Sequence, residues 1–390
     1  MQGSSTSIET TVSERCLEAA QRIYGLVSTR YLQPDGSVIG PDVGVRFNSR
    51  IWRFVKSYLR FLPWRDNHYY LQGQAYWLSA NLKLYELTGD ESYLSTAYTC
   101  GSEVLHRQTK EGYWEFPKTE WKGRIATVEG CFGALALIWC FDKTNEGAYL
   151  EGAEKWYDFL IEKTGFERYD GESLCINYFA GIPRGLVPNN ATLALWFFAE
   201  LMKASGDGKY TEYARPLVNF LSKVQLDSGE LPYQLPGPSV RGRKHYLCYQ
   251  YNAFQLMDLV YYLSISGDRT VEPVIEGLGR FLSGALSGQG FVKKDCETER
   301  PVVLYYTAAV AAALLEVSNI GLGDYVEESE NAYGYLLSRQ RRDGGFDYSY
   351  GDYGMLSDKR SYPKQLCMII DHLLRPCLLE KGNGHQRAQD

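Results

Sequence analysis

Apolar positions recur along the 390-residue chain at helical spacing, and they do so in two alternating styles. In the first style one stripe is apolar and the opposite face is charged, as in residues 91–107, 149–163, 209–224, 270–283 and 325–339. Glu14 to Ser28 belongs with them, spacing Leu17, Ala20, Ile23 and Leu26 along one face. In the second style the helix is apolar nearly all round, as in 69–87, 126–141, 190–204, 249–264, 303–317 and 362–374. Ala308 to Leu315 is the plainest case. A helix with one apolar stripe covers a core, whereas one without a polar face must itself be surrounded. Six helices of each kind predict an outer ring around an inner ring.

The punctuation repeats with the pattern. Gln340-Arg-Arg-Asp-Gly344-Gly-Phe-Asp-Tyr348, Gln108-Thr-Lys-Glu-Gly112-Tyr-Trp-Glu-Phe116 and Gln225-Leu-Asp-Ser-Gly229-Glu-Leu-Pro-Tyr233 share one shape. Weaker copies end at Gly36, Gly171 and Gly290, so successive turn glycines are 76, 59, 58, 61 and 54 residues apart. A near-constant period of this size marks a stacked or closed array of one supersecondary unit. Thr88-Gly89-Asp90, Ser205-Gly206-Asp207, Ser266-Gly267-Asp268 and Leu322-Gly323-Asp324 mark the opposite corner, a Gly C-cap followed by an Asp N-cap. Open solenoids end in polar capping repeats, but Gln365 to Leu374 is as apolar as the middle helices. The expected fold is therefore all-α, a closed (α/α)6 toroid over residues 12–378, with disordered tails at 1–11 and 379–390. Residues 37–50 read as an irregular connection, and Ile51 to Phe61 as an extra helix ending at Pro63.

Composition narrows the function. A net charge of −6 offers no basic face for nucleic acid. No run of about 18 apolar residues predicts a membrane span. Residues 1–11 lack the apolar region of a secretory signal, so the expectation is cytoplasmic. The nine Cys are scattered without a C-x-x-C, which predicts mostly core thiols and no metal centre. All eight Trp lie at or before Trp196, whereas the 31 Tyr run throughout and fit either wet helix ends or an aromatic cleft. No P-loop, dinucleotide fingerprint, nucleophile elbow or H-E-x-x-H is present.

Long connections carry function and short ones only connect. The site is therefore expected where the inner helices begin, after the long aromatic Gly turns. Aromatic planes with polar tips there suit a sugar ring, and inner-helix N-termini favour an anionic group. Candidate stacking and binding residues are Trp64, Arg65, His68, Trp114, Arg124, Asn190, Gln250, Tyr305, Tyr348, Asp352, Tyr353 and Arg360, the arginines for a carboxylate. For proton transfer the candidates are Glu129, Glu115, His245, Tyr249 and Asp347. Glu129 sits one turn into an apolar helix, where it serves either as a desolvated acid or base or as a partner of free helix amides. Glu115 is either catalytic or paired with Lys118 or Arg124. Asp343, Asp347 and Asp352 miss the calcium-loop spacing. His106, His372 and His385 fall on outer, core and tail positions and are discounted. No cofactor is called for, and the expected partner is a small-molecule or oligosaccharide substrate.

Gly73-Gln-Ala-Tyr-Trp-Leu-Ser79 with Leu84 to Asp90, and Trp114-Glu-Phe-Pro117 leading to Glu129-Gly130 and Leu135 to Asp142, resemble the helical domain of D-glucuronyl C5-epimerases. That family belongs with the six-hairpin carbohydrate enzymes, and the resemblance implies Tyr and Glu side chains exchanging a proton at a sugar carbon. The resemblance covers about a quarter of the chain, and the family's β-rich N-terminal domain has no counterpart here. The turn Gln340-Arg-Arg-Asp-Gly-Gly-Phe346 resembles the repeat turn of terpenoid cyclases and prenyltransferases, without their D-x-D-D or D-D-x-x-D motifs. The expectation is an enzyme acting on a carbohydrate, with an acidic, uronate-containing sugar or polysaccharide as its expected substrate, as epimerase, lyase or hydrolase. The alternatives are an isoprenoid cyclase, whose aromatic faces would stabilise carbocations, and a non-catalytic binding toroid. A cavity with clustered ionisable groups favours the first, a dry aromatic pocket with one lone acid the second, and a shallow mouth the third.

Overall fold

The computed structural model describes residues 11–44, 47–117, 121–182, 186–236 and 241–387. The inner helices are α3 (Leu71–Thr88), α5 (Thr127–Thr144), α7 (Pro188–Ser205), α9 (Cys248–Ser266), α11 (Leu304–Asn319) and α13 (Pro363–Arg387). Each packs on the next, and α13 packs back on α3. The outer helices are α1 (Val12–Arg30), α4 (Glu91–His106), α6 (Gly147–Phe159), α8 (Ala214–Val224), α10 (Glu272–Ser283) and α12 (Val326–Ser338). The N-terminal α1 fills the outer place beside α13, so the first and last helices complete one hairpin and the (α/α)6 toroid closes.

Local chemistry sets the boundaries. A capping box opens α1: Glu14 N donates to Thr11 Oγ1 at 3.2 Å and Thr11 N to Glu14 Oε2 at 2.9 Å. At the corners Asp90, Asp207 and Asp268 accept backbone amides at 2.9–3.0 Å. Two corners depart from the expected Gly-Asp pattern. Asn145 takes the left-handed conformation after α5, and after α11 that role falls to Gly321 rather than Gly323. The packed inner positions are small or aliphatic; Ala308, Ala309, Ala311, Ala312 and Ala313 are fully buried. The turn glycines are needed because the chain runs against the next outer helix. At Gly229 (φ +89°) a Cβ would stand 2.0 Å from the Gly277 carbonyl oxygen.

Three differences from the expected layout stand out. The extra helix is shorter: a π-turn at Asn48–Trp52 runs into α2 (Arg53–Tyr58). It belongs to neither ring but forms a strap at the mouth, with Phe47, Ile51, Trp52 and Phe61 exposed. The tail expected from 379 is helical through Arg387, and residues 388–390 lie outside the described residues, as do 1–10. Short strands occupy the long connections, including β1 (Ser349–Asp352) paired with β2 (Leu356–Asp358). Among the described residues no helix is long and apolar enough to cross a membrane.

Candidate active site

The mouth at the inner-helix starts is lined by a tyrosine layer, of which Tyr233, Tyr251 and Tyr348 are half-buried. Ring centroids of Tyr305 and Tyr306 are 4.7 Å apart, Tyr305 and Tyr348 5.9 Å, and Tyr233 and Tyr251 4.9 Å. From the strap, Arg53 lies 5.3 Å over the Tyr348 ring, forms a buried ion pair with Asp352, and stands 3.7 Å from Asp358. Arg360 donates to Asp66 at 2.8 Å and to the Tyr362 hydroxyl at 2.7 Å, and Tyr362 in turn donates to Asp358 at 2.6 Å. These buried charges are neutralised by one another, the arrangement expected of a plug.

Most of the expected site residues are engaged with other protein groups at the mouth. Asp352 and Arg360 belong to the plug, and Tyr305 and Tyr348 to the tyrosine layer. Trp114 is buried in the wall, its indole donating to the Val104 carbonyl at 2.9 Å. Glu115 is exposed. Asp347 is held by Arg341 at 2.8 Å, and Tyr353 is 68% exposed at a hairpin tip. Trp64 leans on Trp52 within the strap, Arg65 points to solvent, and His68 packs 6.0 Å from Tyr70. Arg124 covers the Phe179 ring at 5.2 Å. Asn190 is buried against the Ile176 carbonyl, Gln250 is buried on α9, and Tyr249 stacks 5.1 Å from Phe281. Glu129 is buried and accepts the Gln72 amide in the first turn of α3 at 3.3 Å, which is the helix-amide role weighed above, taken by the neighbouring helix. His245 is joined to Glu230 at 2.8 Å.

The axis of the inner ring holds a cavity of about 190 Å³. Its wall carries Trp139, Trp196 and Tyr261 in sequence, with centroids 5.8 Å and 4.8 Å apart. Lys83, Asp371 and Arg375 gather on one side: Lys83 donates to Asp371 at 2.6 Å, and Arg375 to Asp371 at 3.0 Å and to Glu316 at 2.7 Å. Burial lowers the Lys83 ammonium and raises the Glu316 carboxyl. Deeper in, Asp258 accepts the Thr192 hydroxyl at 2.9 Å. Desolvation pushes its carboxyl up to about 8 against that bond, which favours the protonated form. Burial pushes His372 down to about 4, with the Asp371 charge pulling the other way, so its imidazole is neutral. Neither His372 ring nitrogen has a hydrogen-bond partner. Both His372 nitrogens are buried, with Nδ1 3.8 Å from Asp371, so a carboxyl raised by burial and an imidazole kept neutral by it line one cavity, the two kinds of group that proton transfer uses.

A larger hollow of about 530 Å³ lies between the Gly112 turn and α6, lined by Lys110, Lys155, Asp158 and Glu162. Exposed charges dominate its lining, and although burial raises the Asp158 carboxyl there, it is the axial cavity that gathers several buried ionisable groups beside an aromatic wall, so the axial cavity is the better candidate. Its residues escaped the sequence analysis, which placed His372 among core positions. A signal was present: Ser79 and Lys83, and Asp371 and Arg375, are polar pairs four residues apart on otherwise apolar inner helices.

No protein-family model matches the chain, and no curated protein matches it in sequence. Solved structures do. Cellobiose 2-epimerase from Bacillus thermoamylovorans B4167 superposes with a TM-score of 0.72 at 14% identity, covering 94% of this chain and 99% of that one. A sugar epimerase from a ruminal bacterium gives 0.70 at 12% identity over 93% and 98%. A glycosyl hydrolase family 88 protein from Bacteroides vulgatus gives 0.67 at 10% over 94% and 99%. The architecture is the (α/α)6 toroid. At these identities the likeness is one of fold.

Proposed function

We propose that the protein is a carbohydrate-active enzyme that moves protons on a sugar bound in the axial cavity. The observation that carries this reading is that Asp258, whose carboxyl burial raises, and His372, whose imidazole burial keeps neutral, line one cavity with the Trp139–Trp196–Tyr261 wall. The wall supplies a flat apolar face for a pyranose ring, and Lys83, Asp371 and Arg375 supply hydrogen bonds to hydroxyls. At about 190 Å³ the cavity is smaller than the roughly 300–1,000 Å³ of common ligand pockets, so one sugar unit is the size it takes. His372 would accept a proton from the sugar and Asp258 would return one, which is the chemistry of an epimerase or lyase more than of a retaining hydrolase with two ionised carboxylates. Similar folds among sugar epimerases support this choice. A carbocation cyclase fits less well, because Glu200, Asp258 and Asp371 all line the cavity with Lys83 and Arg375.

The test is incubation of the protein with reducing mono- and disaccharides and uronate oligosaccharides in deuterated water. Deuterium at a ring carbon, lost in His372→Ala and in Asp258→Asn, is the expected result. Turnover of none of these sugars, or full turnover by both variants, would overturn the reading.

A further inference from the structure

A second cluster of reactive side chains lies at the mouth, away from the axial cavity. Glu230 follows the tight Gly229 turn, His245 precedes α9, Cys248 opens α9, and Cys296 comes from the connection before α11. Ligand atoms of Glu230, His245 and Cys296 all lie within 4.8 Å of one another. His245 Nδ1 is 2.8 Å from Glu230 Oε2, Cys296 Sγ is 3.8 Å from the same oxygen, and Cys248 Sγ is 3.1 Å from Cys296 Sγ. Glu230 is only 1% exposed, yet its second oxygen, Oε1, has no hydrogen-bond partner. A buried carboxylate oxygen without a partner is costly, and the other oxygen of the same carboxylate, Oε2, is the one that meets the imidazole and the Cys296 sulfur.

We propose that Glu230, His245 and Cys296, with Cys248 as fourth donor, form a tetrahedral site for a borderline-soft divalent cation of the Zn²⁺ class. The donor set is one such a cation takes, with bonds of about 2.0–2.3 Å that set donors roughly 3.3–3.8 Å apart. The Glu230, His245 and Cys296 donors already lie close to that spacing, whereas Cys248, 3.1 Å from Cys296, stands outside this three-donor cluster and must turn toward it to take the fourth position. The neighbouring backbone is held in place. Asn252 accepts the Leu231 amide at 2.7 Å and donates to the Leu231 carbonyl at 3.1 Å, fixing the turn that carries Glu230. Asp295 accepts the Glu297 and Thr298 amides at 3.1 and 2.8 Å, fixing the turn that carries Cys296. Binding releases the two thiol protons to solvent and ties the connection before α9 to the one before α11.

Two other readings fit less well. In a Cys–His–Glu relay the carboxylate and sulfur occupy opposite ends of the imidazole, about 7 Å apart with hydrogen bonds near 3 Å on each side. Here Cys296 Sγ is 3.8 Å from the very oxygen that meets His245. A Cys248–Cys296 disulfide would need the sulfurs to close by about 1 Å and would leave Glu230 Oε1 without a partner.

The test reads metal rather than turnover, so it stands apart from the sugar reading. Reduced full-length protein is loaded with Zn²⁺, passed through gel filtration and assayed for metal, and a parallel sample takes Co²⁺ for thiolate charge-transfer absorption. One metal per chain, a Co²⁺–thiolate band, and affinity reduced at least about tenfold in Cys296→Ser and Glu230→Gln are expected. In the unaltered protein Zn²⁺ should also shield Cys248 and Cys296 from alkylation, a readout that needs no variant to fold. Failure of the reduced protein to retain metal, equal affinity in folded Cys296→Ser, or a Cys248–Cys296 cross-link with no metal uptake after reduction would each overturn the proposal.

Discussion

Gln340 donates through Nε2 to the Ala19 carbonyl at 2.9 Å, joining residues 321 positions apart, and to its own turn at Gly344 at 3.0 Å. The first of these bonds ties α1 to the turn after α12 at the seam of the toroid. The same device recurs around the ring: Gln108 reaches Gly112 and Gly152, each at 2.8 Å, and Gln225 reaches Gly229 at 2.8 Å and Val274 at 2.9 Å. Each Gln therefore ties its own Gly turn to the next outer helix.

Replacing Gln340 with Ala leaves two backbone carbonyls without donors at the seam. Loss of roughly 1–3 kcal/mol is expected, seen as a lower urea midpoint with an unchanged slope. Gln108→Ala should cost a similar amount, because it removes the same pair of bonds inside the ring.

Gly229→Ala should be more damaging than an exposed Gly→Ala change. The new methyl would meet the Gly277 carbonyl oxygen at 2.0 Å, in a backbone conformation with φ +89°. Destabilisation well beyond about 1 kcal/mol is expected, measurable by thermal unfolding. Gly206→Ala is the control, because its Cβ would meet nothing within 4 Å and only the left-handed φ is strained.

Arg375→Met removes the guanidinium from Glu316 and Asp371 and leaves both carboxylates buried. A cost of roughly 3–5 kcal/mol is expected. Glu316 has a raised folded pKa, so its neutral form is the one the fold favours. The stability it supports is fully present at acidic pH and is lost as pH rises through that folded value. The variant's deficit should therefore be larger at pH 8 than at pH 6, as denaturant titrations at the two pH values would show.

The pH profile of turnover follows from the two cavity groups. His372 accepts a proton only when neutral, so the acid limb falls near its value of about 4. Asp258 donates only when protonated, so the alkaline limb falls near its value of about 8. Asp258→Asn should remove the alkaline limb along with most of the activity. A profile with no alkaline limb in the unaltered protein would exclude Asp258 as the acid.

The fold was legible because its determinants are local and repeated. One-sided and all-round apolar helices, a Gln-to-Gly turn every 54–76 residues, and Asp caps at the corners are read directly from residue order. The mouth was placed at the inner-helix starts by loop length, and aromatic residues do gather there. What they do was not legible. Arg53, on a strap, neutralises Asp352, on a hairpin 299 residues away, and so helps to turn the mouth into a plug. His372 looked like a core histidine because it sits in an apolar helix, and it is indeed buried.

Residue order by itself determined that twelve helices pair into a closed double ring, because hydrophobic period and turn chemistry act within a few residues. Only the tertiary structure decided which polar side chains share a space. Lys83, Asp258 and His372 come from three helices, and Glu230 and Cys296 from separate connections. Burial, and the pKa displacements that follow from it, depends on every wall at once, which no single segment encodes.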